Sequence, residues 1–325
     1  MKDSFLKIKD LFVQYTSGGH VVKAVNGVDI ELAKGETLGL VGETGAGKTT
    51  IAKTILRVLP DPPAKVVGGE VWMDDVNLLE LPEKEMLKVR GNKIAMIFQD
   101  PMTALNPTMT VGNQIAEVIL LHNDISNREA VERATAMLEM VGIPAMRYGE
   151  YPHQFSGGMK QRVVIAMALA CDPELLLADE PTTALDVTIQ AQVLEMMMDL
   201  KRKLNTSMIL ITHDLGVVAE TCDKVAIIYA GQIVESGTKE DIFRNPCHPY
   251  TIGLFGALPK LNDNSKRLHP IHGLPPDPTN LPEGCSFNPR CPKVCEGCKV
   301  GGAPEMIEVT PGHFVRCVMC KKEGE

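Results

Sequence analysis

The sequence lacks a long apolar run. The strongest candidate, residues 163–170, is far shorter than the ~20 residues that a membrane-spanning helix requires. Residues 1–5 also lack the basic and then apolar order of a signal peptide. Because 44% of the residues are hydrophobic and the mean hydropathy is near zero, the composition instead suits a globular protein. We therefore expect the chain to stay in the cytoplasm.

The sequence also lacks an excess of positive charge, since its formal net charge is −8. A broad nucleic-acid-binding face needs many basic side chains, so we expect no nucleic-acid partner. A bound nucleotide is not excluded, because a few backbone N–H groups and one lysine can hold its phosphates. Internal repeats and low-complexity tracts are absent, and the length of 325 residues allows one large core plus an appendage.

Apolar periodicity predicts an α/β core in which strands and helices alternate. Strands are predicted at residues 6–15, 28–32, 37–41, 94–98, 175–178, 208–212 and 225–229. Helices are predicted at residues 48–59, 111–121, 128–140, 159–170 and 188–204. The helix at 188–204 connects two predicted strands, as a parallel sheet requires.

The composition changes after residue 245, where prolines become frequent and regular periodicity fades. We therefore divide the chain into a core domain at residues 1–245 and an irregular extension at residues 246–325. Within the core, helical periodicity between residues 99 and 154 predicts a helical insertion, which we place at about 100–158.

A glycine-rich, phosphate-binding pattern follows the strand predicted at residues 37–41. It comprises Gly42, Glu43, Thr44, Gly45, Ala46, Gly47, Lys48 and Thr49, and Thr50 follows directly. Glycines let the backbone N–H groups converge on phosphate oxygens, and the N-terminus of the next helix adds a positive dipole. We expect Lys48 to reach the β- and γ-phosphates and Thr49 to ligate Mg²⁺. The alternative, a glycine-rich turn without a ligand, is disfavoured by the strand before it and the helix after it.

Two acidic residues directly follow the apolar run at residues 175–178. Asp179 and Glu180 would lie at the lip of the sheet, where α/β proteins bind their ligands. We expect Asp179 to hold Mg²⁺ and Glu180 to orient and deprotonate an attacking water. A solvated acidic loop is the alternative, but the phosphate-binding pattern upstream argues for the catalytic interpretation.

Taken in chain order, these motifs resemble the ATP-binding cassette (ABC) family. Ser156, Gly157 and Gly158 match the signature turn of that family, which implies contact with the γ-phosphate of an ATP held by an opposite subunit. Gln99 matches the glutamine that touches Mg²⁺ and the γ-phosphate and links the site to a membrane partner. The resemblance therefore implies that the working unit is a dimer.

Two further residues fit the same resemblance. Asp186 matches the loop that crosses the dimer interface, and His213 matches the histidine that contacts the γ-phosphate. The resemblance thus implies ATP and Mg²⁺ as ligands. The catalytic residues that it implies are Glu180, His213, Gln99 and Lys48.

The resemblance also implies an α/β fold of the P-loop NTPase type. Its parts are a parallel core sheet, an antiparallel β subdomain, a helical subdomain that carries the signature turn, and an irregular, metal-binding extension at the C-terminus. Within that fold Tyr15 either stacks on the adenine, as an aromatic residue does at this place in relatives, or packs within its own sheet.

Three segments resemble one branch of the family, the ATPases of oligopeptide, dipeptide and nickel importers. They are residues 100–107 with Asn106 and Pro107, residues 151–154, and residues 245–251. We expect the peptide-importing type, whose partners are two transmembrane permease subunits, an extracytoplasmic substrate-binding protein and a second, related ATPase chain. The resemblance then places the chain on the cytoplasmic face of the cell membrane.

Other interpretations stay open on the sequence alone. The cargo can be a peptide of any length, nickel or another small solute, because no cargo need touch this chain. The second ATPase can be another copy of this chain or a different one. A non-transport ABC protein of DNA repair or translation is disfavoured by the negative charge, the single cassette and the C-terminal segment.

Nine cysteines are many for a cytoplasmic protein, where disulfides are rare, and six of them lie between residues 285 and 320. Such clustering favours a metal site. Cys285, Cys291, Cys298 and Cys317 resemble the four-cysteine pattern of the extension in this branch, which implies a [4Fe–4S] cluster. Four thiolates also suit tetrahedral Zn²⁺, and unligated thiols are the third possibility.

The remaining five cysteines receive no ligand role of their own. Cys295 and Cys320 lie among the four candidates and can substitute for a neighbour. Cys171, Cys222 and Cys247 are distant in sequence, and we expect them to be packing residues. Since no base or substrate pocket is visible near the cluster, we expect its role to be structural.

Overall fold

The structure is a computed structural model that describes residues 4–183, 185–256 and 271–320. These residues divide into two compact units. The signature unit contains residues Leu32–Thr37 and Val76–Ile211, and the phosphate-loop unit contains Leu6–Glu31, Leu38–Asp75 and the described residues from Thr212 onward. Among the described residues, no helix has both the length and the apolar character needed to cross a bilayer.

Strands alternate with helices along most of the chain. The strands are β1 (Ser4–Ser17), β2 (His20–Ala33), β3 (Thr37–Val41), β4 (Ala64–Met73), β5 (Val76–Asn77), β6 (Ile94–Ile97), β7 (Leu175–Asp179), β8 (Ser207–Thr212), β9 (Lys224–Tyr229), β10 (Gln232–Thr238), β11 (Ile307–Thr310) and β12 (His313–Val315). The helices are α1 (Lys48–Ile55), α2 (Glu83–Val89), α3 (Pro101–Ala104), α4 (Val111–His122), α5 (Asn127–Met140), α6 (Gly157–Leu169), α7 (Val187–Leu204), α8 (Leu215–Thr221), α9 (Lys239–Arg244) and α10 (Pro249–Gly256).

The predicted α/β alternation is confirmed, with differences at the ends of elements and in segments that lack simple periodicity. The helix predicted at residues 48–59 ends at Ile55, because Arg57 adopts a left-handed backbone with a φ of 52°. Strand β4 escapes prediction because Gly68 and Gly69 interrupt its alternation, and the register against β1 shifts at the same place.

The phosphate-loop unit contains two sets of strands. In one, β1 lies between β2 and β4 and pairs antiparallel with β4, which confirms the predicted antiparallel β subdomain. In the other, the order is β11, β12, β10, β9 and β3, with β3 parallel to β9 and the other pairs antiparallel. Strand β3 is buried throughout, as expected of the strand that feeds the phosphate loop.

The signature unit holds the parallel strands β8, β7 and β6 in that order, as predicted for the core sheet. Helix α6 lies at the centre of this unit and packs against α3, α4, α5, α7 and β6. Its buried side chains include Val163, Ile165 and Leu169. Helices α3, α4 and α5 lie within residues 100–158, where the helical insertion is predicted, and its bounds stay a prediction.

The C-terminal extension is more regular than predicted. It contributes α10 and the hairpin of β11 and β12, and β12 pairs with β10 of the predicted core domain. The hairpin escapes prediction because its strands have only four and three residues, too short for a periodic signal. The boundary between residues 245 and 246 stays a prediction. Residues 257–270 and 321–325 of the predicted extension lie outside the described residues.

Candidate functional site

The phosphate loop connects β3 to α1 and can be built only with glycine at two positions. A Cβ atom on Gly42 would lie 2.2 Å from the carbonyl oxygen of Ile228, and one on Gly47 would lie 2.4 Å from that of Ala24. Gly47 also has a φ of 102° and caps the N-terminus of α1. The loop therefore packs directly against neighbouring backbone, and its N–H groups lie at a helix N-terminus, which favours phosphate binding.

Lys48 is the buried cation of this loop. Its Nζ atom donates to the carbonyl oxygens of Gly42, at 2.7 Å, and Glu43, at 3.0 Å. The ammonium group is thus held over the loop by the loop's own backbone. This position suits contact with phosphate oxygens, because the charge and the loop N–H groups lie together.

The remaining loop residues differ in their exposure to solvent. Thr44 and Gly45 are exposed, Ala46 is buried, and Thr49 lies half-buried in the first turn of α1. Thr50 in the same turn lies beside Tyr15 of β1, with 3.3 Å between the two hydroxyl oxygens. Tyr15 is therefore tied to the start of α1 and is half-buried, which is compatible with either of its two predicted roles.

Asp179 and Glu180 lie at the end of β7, as predicted. Asp179 is buried, and Glu180 adopts a left-handed backbone with a φ of 45° while its N–H donates to the carbonyl oxygen of Ile211. The carboxylate of Glu180 accepts hydrogen bonds from Gln99 Nε2, at 2.9 Å, and from Thr183 Oγ1, at 3.0 Å. The structure thus brings two predicted catalytic residues, Gln99 and Glu180, into direct contact.

The signature turn lines a cavity of about 690 Å³ in the signature unit. Ser156 caps the N-terminus of α6 by accepting from the N–H of Met159, and Asp186 caps the N-terminus of α7 by accepting from the N–H of Ile189. Both helices therefore direct their positive ends into the same cavity. The other residues that line it include Gly157, Gly158 and Arg162.

Close packing between these helix starts explains the second glycine of the turn. A Cβ atom on Gly158 would lie 2.6 Å from Cγ2 of Ile189, whereas one on Gly157 would approach nothing closer than Leu185 at 4.0 Å. One cavity, which we call the signature cavity, is thus lined by four predicted residues and favours anion binding. They are Ser156, Gly157, Gly158 and Asp186.

His213 follows β8 in the phosphate-loop unit, and its side chain is exposed. The next residue, Asp214, caps α8 by accepting from the N–H groups of Gly216 and Val217. Strand β8 and this cap fix the backbone on both sides of His213. The predicted histidine therefore lies at the carboxyl end of a buried strand, where α/β folds place ligand-binding residues.

The four predicted cysteine ligands lie close enough to alter one another's pKa. Burial raises the pKa of Cys285, Cys291 and Cys298, and the charge of neighbouring cysteines raises it further. Cys317 is different, because a hydrogen bond with Cys320 lowers its pKa to about 6. The group therefore offers four sulfur atoms of the type that a thiolate-ligated metal needs.

The two additional cysteines lie at this group. Cys295 Sγ is 3.4 Å from Cys298 Sγ, and the N–H of Cys320 donates to the carbonyl oxygen of Cys317. Each of the two thus lies next to one of the four candidates, and the substitution stays a prediction. Cys222 is buried, as predicted for a packing residue, and its sulfur lies against the backbone of Gly39 in β3.

Glu235 of β10 forms hydrogen bonds with the C-terminal extension, and no sequence pattern predicts them. Its fully buried carboxylate accepts from the N–H groups of Cys247, at 2.7 Å, and His248, at 2.9 Å, and lies 2.8 Å from Nε2 of His313 in β12. A carboxylate oxygen of Glu235, Sγ of Cys247 and a ring nitrogen of His313 lie within 4.8 Å of one another. These hydrogen bonds account for the buried carboxylate, so we interpret the group as the attachment of the extension to β10.

Comparison with known proteins finds similarity over nearly the whole chain. The family profile described as ABC transporter matches residues 25–183. A second profile, described as the C-terminal region of oligopeptide/dipeptide transporters, matches residues 234–298. The first match contains the phosphate loop and Glu180, and the second contains three of the four candidate cysteines.

Curated relatives match over nearly their full length. The dipeptide transport ATP-binding protein DppD of Bacillus subtilis (strain 168) is 52% identical over 99% of this chain and 97% of the relative. The oligopeptide transport ATP-binding protein OppD of Escherichia coli (strain K12) is 48% identical over 97% of this chain and 93% of the relative. Among solved structures, a dimeric ATP-binding cassette in a post-hydrolysis state bound to ADP and Pi has a TM-score of 0.65 at 27% identity, covering 72% of this chain and 98% of that one.

Proposed function

Because this chain belongs to the ABC transporter family, we propose that it hydrolyses ATP to power the import of dipeptides and oligopeptides across a membrane. The similarity to peptide-transport ATP-binding proteins supports this cargo class, since it extends over the C-terminal region as well as the cassette. The observation that carries the ATPase activity is the pairing of Gln99 with Glu180 at the end of β7.

The proposed chemistry divides among residues that the sequence predicts. The loop N–H groups and Lys48 bind the β- and γ-phosphates, and Glu180 accepts the proton of the attacking water. Gln99 orients that water through its contact with Glu180, and His213 contacts the γ-phosphate. The hydroxyl, amide and carboxylate oxygens of Thr49, Gln99 and Asp179 suit Mg²⁺, which would neutralise phosphate charge when bound. Tyr15 stacks on the adenine.

The signature cavity receives the γ-phosphate of an ATP that a second ATPase chain holds. Two helix N-termini and the guanidinium of Arg162 make this cavity favourable for an anion. Ser156, Gly157 and Gly158 make the contact, and Asp186 lies at the interface between the two chains. ATP thereby joins the pair, because the joined state binds it more tightly than the separated state does.

An apolar groove of the signature unit is the proposed docking site for a transmembrane permease subunit. Helices α4 and α5 line it with Leu120, Leu121 and Val131, and it has a volume of about 620 Å³. Leu121 is 76% exposed, which is unusual for leucine and typical of an interaction site. With two permease subunits and an extracytoplasmic substrate-binding protein, the chain would act on the cytoplasmic face of the membrane.

We further propose that Cys285, Cys291, Cys298 and Cys317 hold a [4Fe–4S] cluster that orders the extension. The support is the set of four mutually interacting thiols and the low pKa of Cys317. Protein purified without oxygen should be brown and contain iron and acid-labile sulfide. A colourless protein that contains zinc alone would show that the site binds Zn²⁺ instead of the cluster. A protein without metal would contradict both assignments.

The variant Glu180→Gln tests the ATPase assignment. It keeps the size and the hydrogen bonds of the side chain but removes the proton acceptor, so ATP should still bind while turnover falls at least a hundredfold. Glu174→Gln is the matched control, because Glu174 lies in the same unit but faces Lys34 at 3.4 Å instead of Gln99. Full ATPase activity in Glu180→Gln would remove Glu180 from its role.

A further inference from the structure

The C-terminal extension holds the phosphate loop at Glu43. The two terminal nitrogens of Arg290 donate to the two carboxylate oxygens of Glu43, with Nη1–Oε2 at 2.9 Å and Nη2–Oε1 at 3.1 Å. A bidentate pair of this kind fixes the orientation of both groups as well as their distance. The side chain of the loop residue is therefore positioned from the extension.

This ion pair is well shielded from solvent. The Arg290 side chain is only 6% exposed and that of Glu43 is 27% exposed. Arg290 also donates to the hydroxyl of Tyr229, at 3.2 Å, and through Nε to the carbonyl oxygen of His272, at 3.2 Å. Removing Glu43 would leave the buried guanidinium of Arg290 without its anionic partner, so the two residues are energetically coupled.

A second group of the extension holds the same loop residue through its backbone. The N–H of Glu43 donates to the hydroxyl of Tyr250, at 3.1 Å. Tyr250 is fully buried in α10, where its ring packs on Tyr229, at 4.6 Å, and Phe287, at 5.4 Å. Glu43 is thus fixed at its N–H and at its carboxylate by two residues of the extension.

The backbone carbonyl group of Glu43 contacts Lys48, the lysine expected to bind phosphate. Its carbonyl oxygen accepts from Nζ of Lys48, at 3.0 Å. The chain of contacts therefore runs from Arg290 through Glu43 to Lys48. A shift of Glu43 would move one of the two carbonyl groups that hold the ammonium.

The extension also covers one side of the loop. Pro275, Pro276 and Leu281 line a small cavity of about 50 Å³ together with Gly45 and Ala46 of the loop. The carbonyl oxygen of Pro278 accepts from the N–H of Lys23 in β2, at 2.9 Å. The contact at Arg290 is therefore part of a packed surface, so the extension constrains the loop over several residues.

We propose that Arg290 is a positioning residue of the ATPase, through which the C-terminal extension sets the affinity of the phosphate loop for ATP. Arg290 contacts the side chain of Glu43, and it acts on Lys48 through the carbonyl oxygen of Glu43. Arg290 directly precedes Cys291 in the sequence. This inference rests on the proposed function, since it assumes that the loop binds ATP.

Arg290→Gln in the full-length chain tests the inference, with Arg316→Gln as the matched control. Arg316 is a half-buried arginine of the extension, but it donates to the carbonyl oxygens of Ile233 and Pro304 instead of the phosphate loop. The measurements are the Kd of a fluorescent ATP analogue with Mg²⁺, the KM and kcat of ATP hydrolysis, and the urea midpoint.

We expect Arg290→Gln to raise Kd and KM about tenfold, the usual scale for a lost charge-assisted contact, while kcat at saturation changes less than threefold. Arg316→Gln should lower the urea midpoint but leave Kd within twofold of the wild type. Glu43→Gln removes the pair from its other side and should reproduce the higher Kd. The double variant Glu43→Gln/Arg290→Gln should be no weaker than either single variant.

Two results would overturn the inference. One is a Kd in Arg290→Gln and Glu43→Gln within twofold of the wild type. The other is an equal rise in Arg316→Gln, which would mean that general loosening of the extension is responsible. If the wild-type chain itself fails to bind ATP, that result contradicts the proposed ATPase function. Failure of the proposed function can therefore be distinguished from failure of the proposed role of Arg290.

Discussion

Replacing Gly158 by alanine should separate the starts of α6 and α7. The new Cβ would lie 2.6 Å from Cγ2 of Ile189, which is at least 0.8 Å short of an ordinary contact at 3.4 Å. Because Cγ2 is bonded to the Cβ atom of a β-branched side chain, a rotamer change of Ile189 cannot relieve the clash, and the helices themselves must move. Overpacking of this kind costs about 1–3 kcal/mol.

Urea unfolding of the isolated chain measures this cost. Gly157→Ala is the matched control, because its Cβ would approach nothing closer than 4.0 Å, and its stability should stay within about 0.5 kcal/mol of the wild type. Adding Ile189→Ala removes Cγ2 and should recover part of the loss. A double-mutant cycle should therefore give a coupling of about 1 kcal/mol or more.

The same change should weaken the signature cavity. Moving α6 away from α7 spreads two helix N-termini that point into one cavity, so ATP-dependent dimerisation should weaken about tenfold, while ATP binding by the phosphate loop persists. If Gly158→Ala is as stable as Gly157→Ala and dimerises normally, the close contact of the two helix starts is wrong.

Three further outcomes follow from single residues. Burial lowers the pKa of His248 from 6.5 to about 4. As the pH falls, the imidazole therefore takes up a proton in the unfolded chain before it does so in the folded chain. The free energy of unfolding should consequently fall by about 3 kcal/mol between pH 6.5 and 4. His248→Asn should remove that loss in urea titrations. Leu121→Asp should abolish stimulation of the ATPase by the permease, whereas the exposed Met146→Asp should not. Gly47→Ala should abolish ATP binding in equilibrium titrations, because its Cβ would lie 2.4 Å from a carbonyl oxygen; retained binding would contradict the loop geometry.

Local patterns were sufficient for the phosphate loop and the acids at the end of β7. The glycines of the loop are dictated by backbone contacts at Gly42 and Gly47, and this need is visible as a short motif between a strand and a helix. Asp179 and Glu180 end an apolar run, so the sequence indicates their place at the edge of the sheet.

Long-range contacts could not be predicted in the same way. Glu43 and Arg290 are 247 positions apart, and no local pattern reports their ion pair. The buried carboxylate of Glu235 lies in a strand and accepts bonds from residues after α9 and in β12, a partnership that only the folded chain creates. The hairpin of β11 and β12 likewise depends on pairing with β10.

The measurement that tests the central claim most directly is the ATPase activity of the complete reconstituted complex. Its substrate-binding protein would be empty, loaded with short peptides, or loaded with nickel, and Glu180→Gln complexes would give the background. Peptides alone should stimulate hydrolysis, and the stimulated rate should be lost in Glu180→Gln. Stimulation by nickel alone would contradict the cargo, and the absence of stimulation by any ligand would contradict transport itself.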